Sequence, residues 1–455
     1  MAKFKRGADS LLAGWGGTGA TRAEVVHPLS EMEIAEILKQ RPERGVIARG
    51  LGRAYGDAAL NSGGIVLDAT ALSGVRNLDE ENGVVTVAAG TSLEDLMRWL
   101  LPAGWFVPVT PGTRVVTVGG AIASDIHGKN HHADGTFGNH VLSMTLVDGT
   151  GTTRHLSPAD TPKEFWATTG GMGLTGVITE ATFRLIPVET SSMRVDTERA
   201  SNLDDLMARM SDRDDEYRYS VAWIDCLATG KSMGRGILDR GDHALLSDLP
   251  ANKRRNPLAF SSHAVVTAPP IFPSGLVNRW TVRAFNELWF RKTRSDHQGA
   301  IHSIGQFFHP LDLVTDWNRL YGSRGFVQYQ FCVPFGAERA VQTAVERLSL
   351  SGAASFLAVL KRFGPANPGP LSFPQPGWTL ALDIPVGDPG LSGLLDGLDD
   401  LVLDNGGSVY LAKDGRVRRG HLEGMYPRLN EWRETVATMN PDGVIQSDLA
   451  RRLGL

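Results

Sequence analysis

The chain has 455 residues, a net charge of −4 and 42% hydrophobic residues, the profile of a soluble globular protein with more than one ordinary core. That balance gives no electrostatic basis for nucleic-acid binding, and the two cysteines, Cys226 and Cys332, form neither a CxxC pair nor a metal spacing. Glycine is the deviation: 52 residues, mostly clustered, as expected where backbone must approach a ligand closely.

Met1–Leu12 carries basic residues without a long apolar stretch, so neither signal peptide nor anchor is expected. No run reaches the roughly 20 apolar residues of a membrane span. The expectation is a cytoplasmic protein, or one peripheral at the plasma membrane. From Gly45 to Pro187 short β-like runs recur: Gly45–Arg49, Ile65–Ala69, Val84–Ala88, Phe106–Val109, Ser143–Asp148 and Val177–Ile186. One helix opens at Thr91, with Glu94 at capping-box spacing, and stops near Gly104. Another covers Ala159–Thr168. This is an α+β pattern, without the regular alternation of a doubly wound sheet.

From about Thr190 the strands lengthen and become aromatic: Tyr219–Leu227, Phe326–Pro334, Ser355–Phe363 and Trp378–Pro385 read as one antiparallel sheet. Between them Ser261–Ser303 mixes prolines (Pro269, Pro270, Pro273) and aromatic residues with Arg279, Arg283, Arg291 and Lys292. It reads as a long mobile excursion suited to an anionic lipid interface, or as a loop packed on its domain. Gly406–Leu455 adds a strand, Ser408–Ala412, and terminal helices.

Three glycine-rich segments carry the chemistry. Gly50-Leu51-Gly52-Arg53-Ala54-Tyr55-Gly56 follows a strand and offers backbone N–H groups to an anion. It lacks the Lys-Ser/Thr of a P-loop and the helix of a Rossmann fingerprint, so Asp68 is not read as a ribose ligand. Pro111-Gly112-Thr113 precedes Val118–Gly128, and Gly170–Thr179 forms the third segment. Together they resemble the vanillyl-alcohol-oxidase (PCMH) type of FAD-binding domain. That resemblance implies FAD held by Arg49, Gly50, Leu51, Gly52, Arg53, Ala54 and Tyr55 of the first loop. From the second it implies Gly112, Thr113, Val116, Gly119, Gly120, Ala123, Ser124, His127, Gly128 and Asn130, and from the third Gly173, Gly176 and Ile178. No His stands in the first loop, where some members tether the flavin, so the FAD is expected to be non-covalent.

Asp125-Ile126-His127-Gly128-Lys129-Asn130-His131-His132 and Gly135–His140 narrow the match, with Phe307–Asp312, Gln328–Phe331, Leu371–Pro374 and Ala412-Lys413-Asp414. These are similar to the flavin oxidase component of decaprenylphosphoryl-β-D-ribose 2′-epimerases. The resemblance implies an FAD domain over residues 1–190, a substrate domain over 191–405, and a segment, 406–455, that returns to the FAD domain. It implies oxidation of the ribose 2′-hydroxyl of a polyprenyl-phosphoryl sugar lipid, a first step toward arabinan, completed by an NADH-dependent keto-reductase. Lys413, His127 and Tyr55 match the family's catalytic residues, Lys413 also facing the flavin. Lys129, Trp223, Gln328, Gln330, Leu357, Val359, Lys361 and Ala381 match the substrate face.

Several of these residues have blander readings: a surface lysine for Lys413, a structural histidine for His127, a core aromatic for Trp223, a solvated strand face for Gln328. The histidines 127, 131 and 132 sit in a loop without a helical His–Glu signature, so no metal is expected. Ala381 stands where mycobacterial members carry a cysteine, Phe308 replaces a tyrosine and Val221 a serine. The rival activity is an aldonolactone or alditol oxidase passing electrons to oxygen, and the rival of another class is a non-catalytic flavin-binding protein.

Overall fold

The computed structural model describes residues 7–261, 266–268, 277–293, 296–353, 355 and 357–455. Within them, three main sheets and their covering helices give a mixed α+β architecture. The first sheet runs Ala8–Ala13, Ala20–Val26, Ile65–Asp68, Val46–Arg49, with its last three strands parallel. The second runs Val75–Asp79, Val84–Ala88, Gly176–Arg184, Val141–Asp148, Thr153–Leu156, antiparallel throughout.

The third sheet has eight strands: His297–Ser303, Ser192–Ala200, Gly236–His243, Tyr219–Ile224, Ala358–Phe363, Gly377–Pro385, Phe326–Pro334 and Ser408–Val409, in that order. Every pairing is antiparallel, as the sequence led one to expect. One core cluster runs from Val46 and Val66 in the first sheet through Leu360 and Phe331 to Trp432 and Leu449. The last residues close onto the beginning of the chain: Asp448 N–H donates to Leu60 O at 2.8 Å, and Arg452 grips Asp57 at 2.8 Å.

Several expected elements shift for local reasons. The helix expected at Thr91 spans Leu93–Leu100, capped by Ser92, whose Oγ accepts from Asp95 N–H at 3.0 Å. Thr91 is already committed, its hydroxyl donating to Ala88 O at 2.7 Å. Leu93, Leu96, Met97 and Leu100 form the buried stripe of that helix. Its capping residue, not the pattern of apolar residues, was misplaced. The run Phe106–Val109 pairs only over Trp105–Phe106, because Pro108 has no N–H to continue a ladder.

The larger correction concerns Ser261–Ser303. Its second half is regular: a helix, Arg279–Lys292, then the edge strand His297–Ser303. Asn278 caps the helix by accepting from Trp280 and Thr281 N–H at 2.9 and 3.2 Å. Val282, Asn286 and Phe290, four residues apart, bury one face, and Asn286 donates to Asp225 at 2.8 Å. Pro269, Pro270 and Pro273 lie outside the described residues. Among the described residues no helix is long and apolar enough to cross a membrane.

Candidate active site

The first glycine loop is locked from both sides. Arg49 donates to Ala13 O at 2.8 Å, Arg53 lies 3.9 Å over the Trp15 ring, and Tyr55 N–H donates to Ala412 O at 3.0 Å. Gly56 has to be glycine, because a Cβ there would sit 1.9 Å from Asp414 O. The loop therefore rests directly on the backbone that carries Lys413. A Cβ on Gly50 would lie 2.2 Å from Thr117 Oγ1, so the first and second segments touch as well.

The second segment is positioned by a buried carboxylate. Asp125 (φ +42°) accepts from Gly138 N–H at 3.1 Å, Asn367 at 2.6 Å and Ser372 at 2.6 Å. This pins the turn that delivers His127. The third segment joins through Met172 N–H, which donates to Ala123 O at 2.9 Å. All three segments open on one cavity of about 1140 Å³.

Strand register supplies the cavity's opposite wall. Gln328 lies across from Asp383, Gln330 from Ala381 and Val359 from Ala381. Val359 is in turn opposite Trp223, and Trp223 opposite Ile237. Side chains two apart on a strand share a face, so Gln328, Gln330, Ala381, Leu357, Val359, Lys361 and Trp223 all line the cavity. Lys129, Lys413, His127 and Tyr55 line it too, with every expected glycine-segment residue except Asn130. Asn130 sits behind the loop, where its amide donates to Pro108 O at 2.9 Å and Asp134 at 2.7 Å; it holds the segment and leaves the cavity to others.

Charge in this cavity is governed by burial. His127 is enclosed by Phe363, Phe373 and Tyr410 at 4.8–5.6 Å, and Gln330 Nε2 lies 2.9 Å from its Nε2. Burial, then the nearby Lys361 and Lys413 charges, push its imidazole well below the usual range, so it is neutral. Burial pushes Lys129 down to about 8, Asp239 opposing the shift. Its Nζ donates to Phe307 O and lies 4.2 Å over the Phe307 ring. Burial, then Lys413 and Lys129, push Lys361 down to about 7. Lys413 Nζ stands 5.4 Å over the Tyr55 ring.

Sequence reasoning passed over Asp383 and Asp239. Asp383 is fully buried and accepts from Gln328 Nε2, while Asp239 accepts from Thr197 at 2.6 Å. The signal for Asp383 was present: an acid within the apolar strand Gly377–Pro385 needs a partner or a role. Asp68, set aside as a ribose ligand, caps the turn at Thr70 instead, at 3.0 Å.

A dinucleotide suits this cavity. Gly112 faces open space, with no atom within 4 Å of a Cβ placed there, and Gly52 and Gly173 hold left-handed backbone at φ +66° and +76°. Glycine backbone of this kind, with Arg53 and Lys413 beside it, suits a pyrophosphate and a ring that gains negative charge on accepting hydride. The comparisons agree. A family model described as an FAD binding domain matches residues 23–157. The decaprenylphosphoryl-β-D-ribose oxidase of Mycolicibacterium smegmatis is 46% identical over 449 residues, 98% of this chain and 97% of that protein. An uncharacterized protein in the mprA 5′ region of Streptomyces coelicolor is 43% identical over 80% of this chain and 100% of its own length. The D-arabinono-1,4-lactone oxidase of Eremothecium gossypii is 29% identical over only 38% of this chain and 34% of its own.

Proposed function

The chain belongs to the decaprenylphosphoryl-β-D-ribose oxidase family of FAD-dependent oxidoreductases, and we propose how its own residues carry out that oxidation. The substrate class is a polyprenyl-phosphoryl ribose, whose 2′-hydroxyl becomes a ketone. The observation that carries the reading is one cavity lined jointly by three glycine segments and by the polar face of an eight-stranded sheet, with Lys413 at the junction. Similarity to the lactone oxidase covers barely more than a third of the chain, which favours the ribose oxidase over that rival.

FAD, bound by the three glycine segments, supplies the hydride acceptor. In this reading the cofactor is non-covalent, because Arg53 and Ala54 stand where a tethering histidine would lie. Lys413 orients the reacting sugar and keeps positive charge beside the reaction centre. Neutral His127 and the amides of Gln328 and Gln330 are nearly inaccessible, and they exclude water while fixing the sugar ring. Lys129 and Trp223 take the part of the substrate farther from Lys413.

Residues 1–190 with 406–455 form the FAD unit and 191–405 the substrate unit. The return of Arg452 to Asp57 and of Gln446 N–H to Val46 O, at 2.8 and 2.9 Å, supports this division. The ketone product calls for an NADH-dependent reductase as partner, and a lipid substrate for peripheral membrane contact. The test is anaerobic mixing with a polyprenyl-phosphoryl ribose while following the flavin spectrum. Bleaching is expected; a spectrum unchanged by this substrate, or reduction by free aldonolactones with rapid reoxidation in air, overturns the reading.

A further inference from the structure

Two lysines, Lys361 and Lys413, project into the same cavity, yet their surroundings differ in one respect. Beside Lys413 the buried carboxylate is Asp383; the carboxylate on the Lys361 side, Asp239, lies two strands from that lysine, across Val221, and bears on Lys129. Asp383 lies on the strand next to Gln328 and accepts that residue's amide. Gln328, Tyr55 and Lys413 line the same cavity, with Lys413 Nζ over the Tyr55 ring at 5.4 Å. Among the described residues neither Asp383 nor Lys413 forms a direct ion pair.

Asp414, next in sequence to Lys413, is committed elsewhere. It accepts from Arg416 and Val417 N–H at 2.9 Å each and pairs with Arg452 at 2.9 Å. The charge that reaches Lys413 is therefore that of Asp383. The charges that act on Lys361 are those of Lys413 and Lys129, with the uncharged His127 and His131 nearby, while Asp239, two strands away across Val221, acts on Lys129. Lys361 has Thr379 as its register partner, and its Nζ lies 5.7 Å from the Phe363 ring centre.

We infer that Asp383 divides the work between the two lysines: as a positioning residue it holds Lys413 as the cation of the site, and it leaves Lys361 as the uncharged amine that accepts the proton of the substrate hydroxyl. The step balances. The C2′ hydride passes with two electrons to bound FAD, the hydroxyl O–H bond breaks, its proton joins the Lys361 Nζ lone pair, and the C2′–O bond becomes a carbonyl. Environment sets apart two groups of the same chemistry, as an acid–base pair requires.

The electrostatics agree in direction. Burial lowers Lys413 and Asp383 opposes the fall. Burial raises Asp383, with Gln328, Lys413 and Tyr321 as the groups favouring its ionised form. For Lys361 burial, Lys413 and Lys129 all act in the lowering direction, so at neutral pH a large share of it is free amine.

The assignment of a base rests on the oxidase reading; the charge division does not, and it is measured without substrate. The FAD-loaded protein is labelled with trace acetic anhydride across pH, and peptide mass spectrometry reads the acetylation midpoint of each lysine. In the wild type Lys361 should label with the lower midpoint. Asp383→Asn keeps a carbonyl acceptor for Gln328 and removes the charge. It should lower the Lys413 midpoint by about one pH unit, roughly tenfold more free amine at a fixed pH, and leave Lys361 below pH 8. A Lys413 midpoint unmoved in folded, FAD-loaded Asp383→Asn, or a wild-type Lys361 midpoint above that of Lys413, overturns the inference.

Should Asp383→Asn fail to fold, Lys413→Met carries the test from the other partner. The infrared carbonyl band of protonated Asp383 should then persist to higher pH than in the wild type, and an unchanged band is the contrary result. With a short-chain polyprenyl-phosphoryl ribose, flavin reduction should fall as pH drops through about 7, the value of Lys361, and Lys361→Met should abolish that limb while retaining FAD. A limb that persists in Lys361→Met removes the base assignment. Separated midpoints without any substrate-dependent reduction would defeat the oxidase reading alone.

Discussion

Gln330 presents its amide nitrogen to Nε2 of His127 across 2.9 Å, and the same nitrogen donates to Thr379 at 3.0 Å. An amide nitrogen only donates, so His127 Nε2 carries the lone pair and Nδ1 the proton. The sheet thereby sets the tautomer of a histidine delivered by a glycine segment. His127, held well below its ordinary range by burial, should show no NMR titration between pH 5 and 8. Gln330→Glu places a carboxylate at the same atom, which favours the imidazolium, and should bring the titration into that window. A wild-type ring titrating near its ordinary value refutes the arrangement.

FAD should leave the protein intact on acid precipitation. Gly52 takes the left-handed backbone and Arg53 spends its side chain on Trp15 and Leu51 O; the first loop has no histidine to attack the flavin ring, and burial keeps the Tyr55 phenol protonated, well above its ordinary range. Flavin remaining with the precipitated polypeptide contradicts this.

Lys413→Ala should keep FAD, because the loop contacts at Ala412 and Asp414 are made by backbone. Substrate-dependent flavin reduction should fall on the order of 100- to 1,000-fold, about 2.7–4 kcal/mol, the usual cost of losing one polarising contact. Single-turnover reduction within threefold or so of the wild type would take Lys413 out of the chemistry.

The helix Arg279–Lys292 should carry the membrane contact. Trp280 and Leu288 are 76% and 70% exposed, beside Arg279, Arg283, Arg291 and Lys292. Phe285 and Trp289, ring centres 6.0 Å apart, line the cavity and reach its surface. Trp280→Ser with Leu288→Ser should weaken co-sedimentation with phosphatidylglycerol vesicles on the order of tenfold, with short-chain substrate in solution still oxidised. Equal sedimentation of variant and wild type discards this face.

Ala381 stands between Gln330 and Val359 at the cavity wall, so Ala381→Cys should present a thiol to bound ligands. Nitro-aromatic compounds reduced at the flavin should then add covalently, seen as a mass increase of the intact protein. The wild type should bind them only reversibly: Cys226 and Cys332 are buried, burial raising both thiols, Cys332 to about 12. An adduct on the wild type, or none on folded Ala381→Cys, speaks against the placement.

Much was legible in the amino-acid order because it depends on short-range rules. Clustered glycines announce backbone that must approach a ligand, and alternation over Phe326–Pro334 places Gln328 and Gln330 on one face wherever that strand lies. The antiparallel character of the third sheet followed from long aromatic strands separated by helical stretches. The helix Arg279–Lys292 was obscured by prolines and surface aromatics, which resemble a loop until Asn278 and the buried Val282–Asn286–Phe290 face are recognised.

What only the tertiary structure decided are relations between residues far apart in the chain. Asp383 and Lys413 share an environment because Ser408–Val409 pairs with Phe326–Pro334, which pairs in turn with Gly377–Pro385. No local pattern encodes that neighbour order, since each strand accepts either edge of a partner. The sequence by itself determined which side chains face one way along each strand and which loops must be glycine. The three-dimensional packing decided which charges meet: Lys361 and Lys413 are both buried, and only Lys413 has the charge of Asp383 opposing the effect of burial.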